Sequence, residues 1–170
     1  VSAEKQFAGI VERVTAAASN VMDPYFNLKV AGTEGPILRE RVYAYELYHQ
    51  LRCLRPHEAM TLTAEPDKSG HREITDDSNP DFVFHTPGTM AENLALLEVK
   101  RAISTDGERD LTKFRSYLSN HNYRYCIWLV FGPLDDAKFT TRFVEPFREF
   151  GARGCLLRHR SSGSAPEVVR

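Results

Sequence analysis

The chain is poor in the residues that staple or anchor small proteins: three cysteines and one tryptophan in 170 residues, with no C-x-x-C pair. Cys53, Cys126 and Cys155 are odd in number and far apart, a pattern that suggests neither a disulfide framework nor a zinc ribbon. Cys126 and Cys155 lie in apolar strand-like runs and read as buried thiols. There is no apolar run of about 20 residues that could span a bilayer, so no membrane partner is expected. The first residues carry charges in a helix-like pattern where a signal peptide would have an apolar core, so the expected location is cytoplasmic. No internal repeat is visible. A dominant charge is lacking too: 22 Lys and Arg face 23 Asp and Glu, a balance that by itself argues against a nucleic-acid partner. The distribution is less even, with twelve basic against eight acidic residues in 101–170 and ten against fifteen in 1–100. Arg101, Lys113, Arg115, Arg124, Arg153, Arg158 and Arg160 are therefore candidates for a phosphate-contacting surface, and a scattered solvated surface is the other reading.

The apolar fraction is ordinary for a globular protein, and residues 1–160 read as a single domain. The tail 161–170 is small and polar and is expected to be flexible. Phe7, Ile10, Val11 and Val14 recur at helical spacing and predict a helix from Glu4 to about Ala18. Asp23-Pro24 marks a turn, and Tyr25 to Val30 reads as a short strand or an extended arm. A second helix follows Pro36 and stops near Leu54, before Pro56. Met60 to Glu65 alternates as a strand, and Lys68 to Asn79 reads as a hairpin loop or flexible excursion. Two short strands follow, around Phe82-Val83-Phe84 and around Leu94 to Lys100. The chain then gives a helix from Asp110 to about Asn120, striped by Leu111, Phe114, Tyr117 and Leu118. Tyr125 to Phe131 reads as a strand buried on both faces. A helix over Asp136 to Phe150, disturbed by Pro146, precedes a last strand from Cys155 to Arg158. Three consecutive strands and then a helical crossover predict an α/β protein with a mixed sheet. His49, His71, His121 and His159 read as mostly surface residues, and His57 is assigned no metal role.

The informative residues lie in the two short strands. Pro80-Asp81 heads the run Phe82-Val83-Phe84, and Glu98-Val99-Lys100 closes the run Leu94-Ala95-Leu96-Leu97. The two-residue period of a strand puts Glu98 and Lys100 on one face and Leu97 and Val99 on the other. The same rule separates Asp81 and Val83 from Phe82 and Phe84. If the strands pair, two carboxylates and one ammonium converge on one patch. Mg2+ is held through one or two carboxylates plus water and substrate phosphate, and an adjacent lysine can orient or deprotonate the attacking water. That is chemistry suited to cutting a phosphodiester. His85 lies four residues beyond Asp81, roughly 13 Å along the strand, too far to ligate the same ion; a structural role or the edge of a substrate groove suits it.

At about 100° per residue, Ile37, Glu40, Ala44, Leu47, Tyr48, Leu51 and Leu54 fall on one face of the second helix. Arg39, Tyr43, Glu46 and Gln50 fall on the solvent side. A carboxylate on an apolar stripe is costly unless it is paired or bound to metal, which makes Glu40 the third candidate. Plainer readings stand beside these. Glu40 in a first helical turn favours the macrodipole and can pair with Arg39 or Arg41. Glu98 and Lys100 can form a cross-strand ion pair, and Asp81 can be the turn residue that follows Pro80.

These residues resemble the PD-(D/E)XK, or restriction endonuclease-like, nuclease superfamily. Pro80-Asp81 matches its first motif, Glu98-Val99-Lys100 its second, and the resemblance covers about Pro36 to Gly132. Glu40-Arg41, Pro80 through His85, Asn93 through Lys100, Asp110 with Lys113, and Glu65 resemble a group of bacterial proteins within it. The resemblance implies an α-β-β-β-α-β core with a mixed central sheet flanked by helices, here with an N-terminal helix and a C-terminal α-β extension. It further implies metal-dependent hydrolysis of nucleic acid, DNA ahead of RNA, in a restriction, repair or defence setting, as a homodimer or within a larger complex. Asp81, Glu98 and the main-chain carbonyl of Val99 would hold Mg2+ or Mn2+. Lys100 would position or activate water, and Glu40 would complete the site or serve a second ion. Arg101, Lys113 and Arg115 would contact nucleic acid, with Glu65 and His85 as accessory residues. The competing expectation is a non-catalytic nucleic-acid-binding or scaffold protein that keeps the fold; an interaction protein with a surface ion-pair cluster would instead leave these side chains dispersed.

Overall fold

Burial on both faces of a central strand is what organises the protein. In the computed structural model, which describes residues 1–54, 60–66 and 79–169, six strands follow sequence order across one sheet. They are β1 (Thr61–Ala64), β2 (Phe82–His85), β3 (Asn93–Arg101), β4 (Tyr125–Phe131), β5 (Gly154–His159) and β6 (Glu167–Val169). β1, β2 and β3 form an antiparallel meander. β3, β4 and β5 run parallel, and β6 returns antiparallel to β5. The sheet is therefore mixed. Helix α3 (Gly107–Asn120) joins β3 to β4, the crossover that a parallel pair requires. Two more helices, α1 (Ala3–Ser19) and α2 (Glu40–Cys53), precede the sheet.

The sheet divides the core in two. Ala95, Leu97, Val99, Ile127, Leu129, Phe131 and Leu157 face α1 and α2. Leu96, Cys126, Trp128, Val130 and Leu156 face the other way, with Leu111, Phe114 and Tyr117 of α3. Helix α1 contributes Ile10, Val14, Ala17 and Ala18, all buried, the spacing of one helical face. Its N-terminus is capped by Ser2, whose side chain accepts from the Lys5 amide at 3.3 Å. The expected strand Tyr125 to Phe131 is β4, and Cys126 and Cys155 are buried thiols.

Several elements differ from the sequence reading. The expected helix Asp136 to Phe150 is a composite: α4 (Asp136–Phe139), a π-helical segment Thr140–Val144, α5 (Glu145–Phe147) and a 3-10 run Arg148–Arg153. Pro146 has no amide hydrogen to give to the ladder, and the π segment ends just before it. Helix α2 starts at Glu40 instead of directly after Pro36, and Leu28 and Ile37 form an isolated antiparallel bridge ahead of it. Tyr43, expected on the solvent side, is fully buried; it stacks on Phe131 and its hydroxyl lies 2.6 Å from His159 Nδ1. His121 and His159 are buried as well, against expectation; burial holds His159 down, at about 4. Glu167–Val169 pair with Leu156–Arg158 where a frayed tail is expected, because the backbone edge of β5 supplies partners the sequence does not display. The expected loop from Lys68 lies outside the described residues up to Ser78, as do His57 and His71.

Gly132, just after β4, has φ +105, and its amide donates to the His159 carbonyl at 2.9 Å. A Cβ there would stand 2.4 Å from Leu38 Cδ1. Gly132→Ala should lower stability by about 1–3 kcal/mol, read as an earlier urea midpoint; an unchanged midpoint would refute the strain.

Candidate functional site

Asp81 immediately precedes β2, and Glu98 and Lys100 stand near the carboxyl end of β3, the end of a parallel sheet at which ligands bind in open α/β proteins. Alternation does here what it predicts. Leu97 and Val99 belong to the α1/α2 side, and Val83 and Leu96 to the α3 side, so Glu98 and Lys100 are directed toward α3. Each meets a residue of that helix. Lys113 Nζ donates to Glu98 Oε2 at 2.5 Å, and Lys100 Nζ is 3.1 Å from Asp110 Oδ2 and 3.3 Å from Asp106 Oδ1. Asp110 Oδ2 also accepts from the Trp128 indole at 3.3 Å. Asp81 Oδ2 accepts from the Val99 amide at 2.7 Å, which ties the first motif to the second across the sheet.

The electrostatics follow from crowding carboxylates in a buried place. Burial pushes Glu98 well above the ordinary carboxylate range, the nearby Asp81 adds to the rise, and Lys113 opposes it. Asp81 is pushed up to about 6, first by burial; the Val99 amide and Lys113 pull it down, and Asp110 and Glu40 raise it further. Burial raises Asp110, against the pull of Lys100 and Lys113. Lys100 is held above its usual value: burial lowers it, but Asp110, Glu40 and Asp106 together outweigh that. The ammonium is therefore retained at neutral pH. Four carboxylates, those of Asp81, Glu98, Asp110 and Glu40, thus share a neighbourhood with the ammonium groups of Lys100 and Lys113.

The raised value at Asp81 has a measurable consequence. Between its ordinary 3.8 and about 6 the folded protein holds a proton that the unfolded chain releases. Stability from this group is then complete at acid pH and declines as pH rises from about 4 to 6, by about 1–3 kcal/mol. Asp81→Asn should flatten that part of the stability profile in metal-free buffer; an identical profile would refute the assignment.

The remaining predicted residues are placed as follows. Glu40 is the first residue of α2, not a member of its packed stripe, and its side chain is about one-third exposed. Its Oε1 accepts from the Arg101 amide at 3.1 Å and approaches Arg101 Nε at 3.5 Å. It still acts on Asp81 and Lys100, so it borders the cluster. Arg101 is thus a partner of Glu40, and Lys113 belongs to the cluster's interior. Arg115 is held by Glu108 at 2.6 Å and Glu149 at 2.7 Å. Arg158 and Arg160 both reach Asp136, and Arg153 donates to the Arg124, Leu118 and Tyr123 carbonyls. Acidic side chains or carbonyls of this chain therefore already engage these six basic residues. Glu65, whose amide donates to the Asp81 carbonyl at 2.8 Å, turns its carboxylate to Arg41 at 3.7 Å. His85 Nε2 is 3.0 Å from Thr63 Oγ1, a contact with the neighbouring strand.

Asp110 entered the sequence reading only through the family resemblance, with no role assigned to it. It stands four and seven positions before Phe114 and Tyr117, on the buried face of α3, and that spacing was the available signal. Among the described residues no group of three or more His, Cys, Asp or Glu side chains forms a ready-made metal cage. Mg2+ needs only one or two carboxylates with waters and phosphate. One observation fits such an ion: among the described residues Glu98 Oε1 is buried without a hydrogen-bond partner, and the Asp81 carboxylate is near enough to act on Glu98. Among the described residues no helix is long and apolar enough to cross a membrane. No protein-family model matches the chain, and comparison with curated proteins and with solved structures finds no match either.

Proposed function

We propose that this protein is a metal-dependent nuclease that hydrolyses phosphodiester bonds, of DNA in preference to RNA. The observation that carries the reading is that Glu98 and Lys100 face α3 at the carboxyl end of β3, with Asp81 acting on Glu98 and one buried Glu98 oxygen without a hydrogen-bond partner among the described residues. The order α2, β1, β2, β3, α3, β4 supports a restriction endonuclease-like core. Asp81, Glu98, the Val99 carbonyl and, at the border, Glu40 would hold Mg2+ or Mn2+. When bound, such an ion lowers the pKa of its water and neutralises charge growing on the phosphate oxygens. Lys100, fixed by Asp110 and Asp106, keeps its proton and serves as a positive charge for the phosphate in the transition state, a role better suited to it than that of the base. Asp110 is the positioning residue for that ammonium. A restriction, repair or defence setting, as a homodimer or within a larger complex, suits such an enzyme.

A second reading has one observation in its favour. Lys113 already neutralises Glu98, which suits a non-catalytic nucleic-acid-binding or scaffold protein on the same fold. The test is cleavage of plasmid, linear duplex, single-stranded DNA and RNA with Mg2+ or Mn2+, with chelator controls, comparing the wild type with Glu98→Ala and Lys100→Ala. Cleavage that survives both substitutions would overturn the site. Binding of nucleic acid without cleavage would favour the second reading.

A further inference from the structure

Lys113 is placed as a cation would be. Its side chain is only 11% exposed, and its ammonium meets oxygens from three separate segments. Glu98 Oε2 of β3 is at 2.5 Å, the Asn79 carbonyl ahead of β2 at 3.2 Å, and Asp110 Oδ1 of its own helix at 4.0 Å. A surface ion pair would engage one carboxylate and leave the rest of the ammonium to water. Here a compact charge with three donors sits where the chain converges its acceptors. The fit is incomplete, because Glu98 Oε1 stays buried and without a hydrogen-bond partner among the described residues. A single ammonium does not serve both oxygens of that carboxylate, whereas a hard divalent ion with its waters takes six or more.

We infer that Lys113 is the resident cation of the acidic cluster: it holds the Glu98 carboxylate while no divalent ion is bound, and it leaves that carboxylate when Mg2+ or Mn2+ binds. The inference rests on the metal site proposed above and adds that ion binding is an exchange. Lys113 then sets the divalent concentration at which the site loads. No bond is made or broken in the exchange; one ammonium moves away from Glu98 and takes water as its partner.

The test uses the whole chain and Mn2+. Wild type is treated with an amine-acylating ester, without and with saturating Mn2+, and the modified lysines are mapped by mass spectrometry. Acylation of Lys113 should rise severalfold with Mn2+ while Lys5 and Lys138 stay constant. By titration calorimetry, Lys113→Met and Lys113→Gln should bind Mn2+ about tenfold more tightly than wild type, since a competing charge within a few ångströms is gone. Unchanged acylation of Lys113 at saturating Mn2+ overturns the exchange, whatever the variants do. If wild type binds Mn2+, loses it in Glu98→Gln and still shows constant acylation, the exchange fails and the metal site stands. If wild type takes up no Mn2+, both fail. The labelling arm needs no substitution, so a variant that does not fold leaves the test intact.

Discussion

Glu98→Gln should reduce Mg2+-dependent cleavage by two to three orders of magnitude or more while leaving the fold in place. The size follows from the role: removing one preorganised group that stabilises transition-state charge costs about 10²–10³ in rate. In the proposed site Glu98 is also the carboxylate whose buried Oε1 has no hydrogen-bond partner among the described residues. The amide has nearly the same shape, and its carbonyl oxygen can still accept from Lys113. It also removes a charge that burial already disfavours, so stability should be unchanged or higher. Single-turnover cleavage of supercoiled plasmid, with a thermal melt of the same sample, reads both quantities. A loss smaller than about tenfold would sink the catalytic role of Glu98. Lys100→Met should lose a similar factor, and Lys100→Arg should not restore full activity, because a planar guanidinium cannot reproduce a compact ammonium held between Asp110 and Asp106.

Trp128→Ala should be the most destabilising single substitution in the α3 half of the core, at about 3–5 kcal/mol. The indole is fully buried in the middle of β4. Its ring packs edge-on against Phe114 and Phe143 and tilted on Phe147, and a Cβ at Gly107 would touch it at 3.0 Å. The same side chain donates to Asp110 Oδ2, so the packing of β4 and the positioning of Lys100 share one residue. Trp128→Phe separates the two effects: it keeps most of the apolar contact but leaves Asp110 without that donor. It should lose less stability than the alanine variant and still lower cleavage. Since Trp128 is the only tryptophan, urea unfolding of the variants must be followed by far-UV circular dichroism. Equal stability for alanine and wild type would show that the ring is not part of the rigid core.

Local patterns were strong enough to write most elements in advance. β4 reads as a buried strand because its run is apolar without interruption, and α1 and α3 read as helices from their stripes. The two motif strands were legible for a related reason: charged residues in short apolar runs are costly, so their presence marks a use. Legibility failed where a partner distant in sequence decides the outcome. Tyr43 looks solvent-facing on a helical wheel and is buried because Phe131 and His159, from β4 and β5, close over it. Glu40 looks like a stripe residue and lies at the helix start, tied to Arg101, 61 positions away in sequence. Arg115, Arg153 and Arg158 look available to phosphate and are engaged by the chain's own acids and carbonyls.

The sequence by itself determined the α/β class, the alternation that puts Glu98 and Lys100 on one face, and the side of β2 on which Asp81 stands. These depend only on the two-residue period of a strand and the 3.6-residue period of a helix. Tertiary structure decided that α3 lies over that face, and with it that Asp110 grips Lys100 and Lys113 fills Glu98. A period fixes which way a side chain points along its own element. What stands opposite depends on how elements dock, and docking is settled by the summed burial of both cores.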